Sequence, residues 1–260
     1  MFRSPILTRS LLLVCLTTSL VSAQTTIGSW RMGEADTGAT NGGTVVSTLS
    51  SVGSLGNLSR TGSASAYSSF TRADIGSTYS VITGASAGFV LGSNLGVNNN
   101  FAMEAWVYNT DSSEVQVIFY NGNTALNGFG LIYQGGLLRL QVNGFTGLNN
   151  VAMNINEWNH VAAVINNGSI SLHLNGVGTT SDLTMPINAT SPFIVSSGGG
   201  FGFRGYIDEV RAFTFTAGNF NSSMLGYSVI PEPSSFAAFA GAAMLVLAGM
   251  RRRRRSSQTV

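Results

Sequence analysis

Between Trp158 and Asn175 two strand-like runs flank Asn167-Gly168. Asn-Gly is the preferred pair for a two-residue type I′ turn, because both central positions need a positive φ. The turn sets the register, so opposed residues have numbers that sum to 335. Val161, Ala163 and Ile165 then share one face with Leu174, Leu172 and Ile170. His160, Ala162 and Val164 share the other with Asn175, His173 and Ser171. A slip of one residue would destroy this separation. Gly135-Gly136 marks a second hairpin, in which opposed residues sum to 271. Phe129, Leu131 and Tyr133 meet Val142, Leu140 and Leu138 on an apolar face. Gly130, Ile132 and Gln134 meet Gln141, Arg139 and Leu137 on the other.

Further strand-like runs are Phe101–Tyr108, Val115–Tyr120, Phe193–Ser196 and Gly205–Phe215. Tyr79–Thr83 and Gly88–Leu91 are shorter, and Trp30 sits in a plausible first strand. Residues 36–66 are rich in Gly, Ser, Thr and Asn and leave short strands and a long loop equally open. No long helical periodicity appears before the C-terminal tail. Many short strands with frequent turns predict an all-β fold, a two-sheet antiparallel sandwich or a barrel. Trp106 and Leu172 are expected to be buried, on facing or adjacent strands.

Three segments carry a family resemblance. Phe101-Ala102-Met103-Glu104-Ala105-Trp106-Val107 is similar to an "aromatic-x-x-Glu-x-Trp-Val" strand. Trp158-Asn159-His160-Val161-Ala162 followed by Leu172-His173-Leu174-Asn175-Gly176 is similar to a "Trp-x-His-Val-Ala … Leu-x-Leu-x-Asn-Gly" hairpin. Gly205-Tyr206-Ile207-Asp208-Glu209-Val210-Arg211 is similar to a closing "Gly-x-Ile-Asp-Glu-Val-Arg" strand. Together they resemble the laminin-G-like, concanavalin A-like jelly roll. The resemblance implies a two-sheet antiparallel jelly roll, an architecture that hosts lectins, adhesion modules and some glycanases.

The ends read differently. Arg3 and Arg9, the apolar run Leu11–Leu20 and Val21-Ser22-Ala23 form a secretory signal, with cleavage between Ala23 and Gln24. The only cysteine, Cys15, lies in that segment, so the mature chain has no thiol chemistry. At the other end stand Pro231-Glu232-Pro233, an apolar run predicted as a transmembrane helix over 234–250, and Arg251, Arg252, Arg253, Arg254 and Arg255. Arginines after such a run stop transfer and mark the cytoplasmic side. A polar tail, residues 256–260, follows. This end resembles the PEP-CTERM sorting signal of bacterial surface proteins. The resemblance implies an exosortase-type membrane protease as partner, passage through the inner membrane, and delivery of the 24–230 domain to the cell surface or extracellular matrix.

All thirteen basic residues are arginine. Residues 24–230 keep six of them against ten acids, a net charge of −4, which leaves no basic patch for nucleic acid. His160 and His173 share a face, but no cysteine or carboxylate of their hairpin completes a zinc set. Asp208 and Glu209 are expected on opposite sides of their strand, so no acid pair for glycan hydrolysis is apparent. No nucleophile elbow appears either. Calcium is a candidate cofactor by oxygen chemistry and family resemblance, with Asp36, Asn109, Asp111 and Asp182 as loop ligands. Phe201 and Phe203 flank Gly202 beside the triple-glycine turn Gly198-Gly199-Gly200, where aromatic rings either stack on sugars or pack against the sandwich rim. The function expected is non-catalytic binding of glycan or extracellular matrix. The alternatives are a structural matrix protein without a specific ligand and a glycanase.

Overall fold

The computed structural model describes residues 24–227 except residue 113 and residues 183–185, and the backbone alone for residues 73 and 146–148. The signal segment ending at Ala23, Pro231-Glu232-Pro233, the apolar run 234–250 and Arg251–Arg255 lie outside the described residues. Among the described residues no helix is long and apolar enough to cross a membrane.

The chain begins with β1 (Gln24–Trp30) and four short strands, β2 (Thr44–Val45), β3 (Ser47–Thr48), β4 (Val52–Gly53) and β5 (Leu58–Gly62). Next come β6 (Ser65–Ser68), β7 (Ser80–Thr83), β8 (Ala87–Val90), β9 (Phe101–Asn109) and β10 (Gln116–Asn123). β11 (Asn127–Gln134), β12 (Leu137–Val142), β13 (Phe145–Ala152), β14 (Trp158–Asn166) and β15 (Ser169–Leu174) follow. β16 (Val177–Asp182), β17 (Phe193–Ser196) and β18 (Gly205–Phe215) complete the set. They form two antiparallel sheets. Sheet I runs β16-β15-β14-β9-β18-β7-β6-β2, with β1 also on β18 and β4 on β1. Sheet II runs β13-β12-β11-β10-β17-β8-β5-β3.

Both hairpin registers are those the turn chemistry predicts. Ala163 opposes Leu172, and Leu131 opposes Leu140. Asn167 takes a φ of 50° and Gly168 one of 82°, the left-handed pair a type I′ turn requires. The apolar faces of both hairpins meet between the sheets, where Trp30, Phe89, Phe101, Phe119, Phe129 and Phe193 are fully buried. Residues 36–66 contain the short strands β2 to β5 and the start of β6, so this stretch forms sheet edges and not one long loop.

Trp106 and Leu172 are both buried, but not as partners. β14 lies between their strands. Leu172 faces the other sheet, whereas Trp106 faces outward, stacked on Tyr227 and covered by Arg72. A tryptophan next to an inward Val107 must point to the opposite side of its strand.

β18 organises the outer face of sheet I. It pairs with β9 on one side, and on the other changes partner from β7 (at Gly205–Ile207) to β1 (at Val210–Phe215). A β-bulge between Asp208 and Arg211 marks the change. The ends of β1 and β7 leave a gap at the bulge, and the loops after β1 and before β7 fill it.

Candidate functional site on the outer face of sheet I

Three aromatic residues stand in one cross-strand row. Trp158 opposes Tyr108, which opposes Tyr206 on its other side, and Tyr206 opposes Ile82. Their sequence neighbours Val107 and Ile207 face the core, so the row must face outward. Phe70, from the loop after β6, lies over the row. Its ring centroid is 4.8 Å from Tyr108, 4.8 Å from Tyr206 and 5.8 Å from Trp158. Phe70 remains 43% exposed and Ile82 39%, while the other three are half-buried. Such a patch of ring faces is suited to stacking on the apolar face of a sugar.

The next rows along the sheet are charged. His160 and Asp208 flank Trp106, and the Arg72 guanidinium carbon sits 3.8 Å from the Trp106 ring centroid. His160 Nε2 donates to Glu104 Oε2 at 3.1 Å, and Arg211 Nε and the Gly226 N–H donate to the same carboxylate. Burial works to raise the Glu104 carboxyl. The His160 hydrogen bond and charge, the Arg211 guanidinium and the Gly226 N–H outweigh it and hold the group below the usual carboxylate range.

At the bulge the expected alternation of Asp208 and Glu209 fails. Ile207 and Val210 both face the core, three residues apart instead of two, and Glu209 takes a φ of 48°. Both acids are thereby left on the outer side. They meet Glu34 from the loop after β1, and one oxygen from each of the three lies within 4.8 Å of the others. Glu34 Oε1 accepts from the Thr78 and Tyr79 N–H groups and lies 3.0 Å from Ser77 Oγ. Asp208 accepts from Ser77 Oγ at 2.6 Å and from the Glu209 N–H at 2.8 Å, and Glu209 pairs with Arg31 at 2.8 Å. Burial, then the charges of Glu209 and Glu34, push the Asp208 carboxyl well above its usual range. Glu34 Oε2 is buried and has no hydrogen-bond partner among the described residues. The break in apolar spacing, Ile207 to Val210 and then Ala212, is the sequence signal that could have revealed this meeting.

The four loop residues considered for calcium lie elsewhere. Asp36 is buried and accepts from the Leu49 N–H and the Tyr67 hydroxyl. Asn109 ends β9 and accepts from the Asp111 N–H, while Asp111 pairs with Arg204 at 2.9 Å. Asp182 is the last residue of the edge strand β16, opposite Ser169. The structure brings only Asn109 and Asp111 together. His160 and His173 share a face as the register requires, but His160 bonds Glu104 and His173 Nε2 bonds Ser171 Oγ at 2.9 Å. Phe201 is exposed, and Phe203 is fully buried.

Residues 83–217, just over half of the chain, match the Laminin_G_3 family, described as the concanavalin A-like lectin/glucanases superfamily. The chain belongs to this superfamily. Its two-sheet sandwich is consistent with the jelly roll of that group. Among curated proteins no sequence matches it. Similar solved structures include domain 4 of AbnA, a GH43 extracellular arabinanase from Geobacillus stearothermophilus, in complex with arabinotriose. That match has 18% identity and a TM-score of 0.60, and covers 77% of this chain and 96% of that one. The botulinum neurotoxin serotype D binding domain matches with 12% identity and a TM-score of 0.53, covering 76% and 49%. Trypanosoma rangeli sialidase in complex with sialic acid matches with 14% identity and a TM-score of 0.52, covering 76% and 31%. The concanavalin A-like chain thus spans about half of the toxin domain and about a third of the sialidase.

Proposed function

We propose that this protein is a secreted, surface-anchored, non-catalytic module that binds glycan through the outer face of sheet I. One observation carries the reading: Trp158, Tyr108, Tyr206 and Phe70 form a contiguous, partly exposed aromatic patch on a rigid sheet. Aromatic faces held by strands stack on pyranose or furanose rings without first being ordered. The saccharides bound by the arabinanase domain and the sialidase support it by analogy of fold. Export by the N-terminal signal, sorting by an exosortase-type protease, and a final place at the cell surface belong to the same reading.

The acids of the bulge suit a cation better than hydrolysis. Asp208 is fully buried and its oxygens face Ser77 and its own strand, so it presents no surface to a substrate. Three carboxylates that converge beside an unpartnered oxygen fit the hard-ligand chemistry of calcium. In this reading Glu34, Asp208 and Glu209 would hold the ion, in place of Asp36, Asn109, Asp111 and Asp182.

The test is retention of the purified protein on a panel of immobilised neutral polysaccharides, including arabinan. Retention should fall about tenfold in Trp158→Ala and Phe70→Ala, with thermal unfolding showing that both remain folded. Equal retention of both variants and the parent would place the binding surface elsewhere. No retention on any glycan would favour the structural matrix role.

A further inference from the structure

The two sheets differ in charge. None of the strands of sheet II contains an aspartate or glutamate, whereas sheet I carries Glu104, Asp182, Asp208 and Glu209. Of the six arginines in the described residues, Arg31, Arg72, Arg204 and Arg211 make ion pairs with carboxylates. Arg60 and Arg139, both in sheet II, make none among the described residues. Arg60 opposes the core-facing Phe89 and so leaves its strand on the inner side. Arg139 opposes Ile132 and Asn150, away from the core-facing Leu138 and Leu140, and stands on the outer face.

The surroundings of Arg139 are built for a polar partner that the described residues do not supply. Gln141 lies two residues along the same strand and face, and Tyr120 lies in the same cross-strand row as Gln141, across Gly130. A Cβ at Gly130 would come within 2.6 Å of the Tyr120 ring, so the glycine is what lets that ring lie over β11 toward Gln141. Arg139 Nε and Gln141 Oε1 are shielded from solvent and have no hydrogen-bond partner among the described residues, whereas the Tyr120 hydroxyl lies against the backbone of Asn143 and Gly144. Val117 and Ile132, almost fully buried, form an apolar floor in the adjoining row. Buried polar atoms are ordinarily paired, so two unpaired ones two residues apart on one strand face point to a ligand.

We propose that the outer face of sheet II binds a carboxylated polysaccharide, with Arg139 receiving the uronate carboxylate. This extends the glycan reading and rests on it, but uses the opposite face of the sandwich and a different ligand charge. A guanidinium matches a carboxylate with two parallel hydrogen bonds. The absence of any acid in the sheet removes the repulsion that an anionic chain would meet beside Glu34, Asp208 and Glu209 on the other face. Gln141, on the same face, offers its amide donors to ring hydroxyls.

The experiment is affinity electrophoresis of the purified protein in gels containing polygalacturonate, its methyl ester, or dextran. The ester keeps the backbone and removes the charge. Polygalacturonate should retard the protein most, and its methyl ester about tenfold less effectively. Arg139→Gln should lower the affinity for polygalacturonate by a similar factor, and Arg139→Lys should restore part of it. Thermal unfolding of each variant confirms that it is folded. The proposal is overturned if polygalacturonate and its ester bind equally, or if folded Arg139→Gln binds like the parent. Binding to dextran alone, lost in Trp158→Ala, would remove this proposal and keep the aromatic site. Failure to bind any of the three would count against both.

Discussion

Glu104 on β9 and His160 on β14 meet diagonally across two strands, with Nε2 and Oε2 3.1 Å apart and both side chains shut off from solvent. Arg211 of β18 completes the contact from the other side. Three strands are tied together on the face of the sheet opposite the core. Removing the carboxylate alone would leave a buried histidine and a guanidinium without their acceptor. Glu104→Ala is expected to cost about 3–5 kcal/mol in denaturant unfolding, the range for breaking a buried charge pair. A loss below about 1 kcal/mol would show that water replaces the carboxylate freely, contrary to the burial described.

His173 gives acid sensitivity. Burial first, then the charge of His160, lowers its pKa to about 4, against an ordinary value near 6.5. The unfolded chain therefore takes up a proton at a higher pH than the folded one, and stability rises with pH between these values. Unfolding free energy should fall as the pH drops from about 6.5 to about 4 and should level off below. His173→Gln should flatten that slope. The check is a set of urea unfolding curves across this interval, and an unchanged slope in the variant would assign the effect to another group.

The acids at the bulge make the opposite contribution. Asp208 has its folded pKa raised by burial and by the neighbouring charges, so without a cation the stability it confers is greatest below its unfolded pKa of 3.8 and is lost as pH rises through the raised value. A bound divalent cation would cancel that loss. Millimolar calcium is expected to raise the melting temperature at pH 7 by several degrees, about 4 °C or more, and Glu34→Gln to abolish the rise. Asp36→Asn, which leaves the bulge untouched, should keep the calcium response even if it lowers stability. A response lost in Asp36→Asn and kept in Glu34→Gln would return the site to the loops.

For the tail, mass analysis of the surface form from the native host should show a chain that begins at Gln24 and lacks Arg251–Arg255. Changing Glu232 should block that processing without altering the circular dichroism of the sandwich. A surface form with the arginines intact would reduce the tail to an uncut anchor.

The sequence by itself determined the hairpins. Asn167-Gly168 and Gly135-Gly136 set two registers, and alternation then decided which side chains enter the core, because a strand has only two faces. Those constraints are local and appear in every residue of the run. The edge strands β13 and β16 escaped notice. β16 has five exposed residues of six, so no buried face imprints a pattern on it. The functional surfaces were decided by tertiary structure. Trp106 could be recognised as a large strand residue, but its burial on the outer face depends on Tyr227 and Arg72, which are distant in the chain. Glu34 meets Asp208 and Glu209 only because β18 changes partner from β7 to β1 and bulges there. A bulge moves one residue out of step in response to the strands on either side, so its consequence is a property of the sheet and not of the segment that contains it.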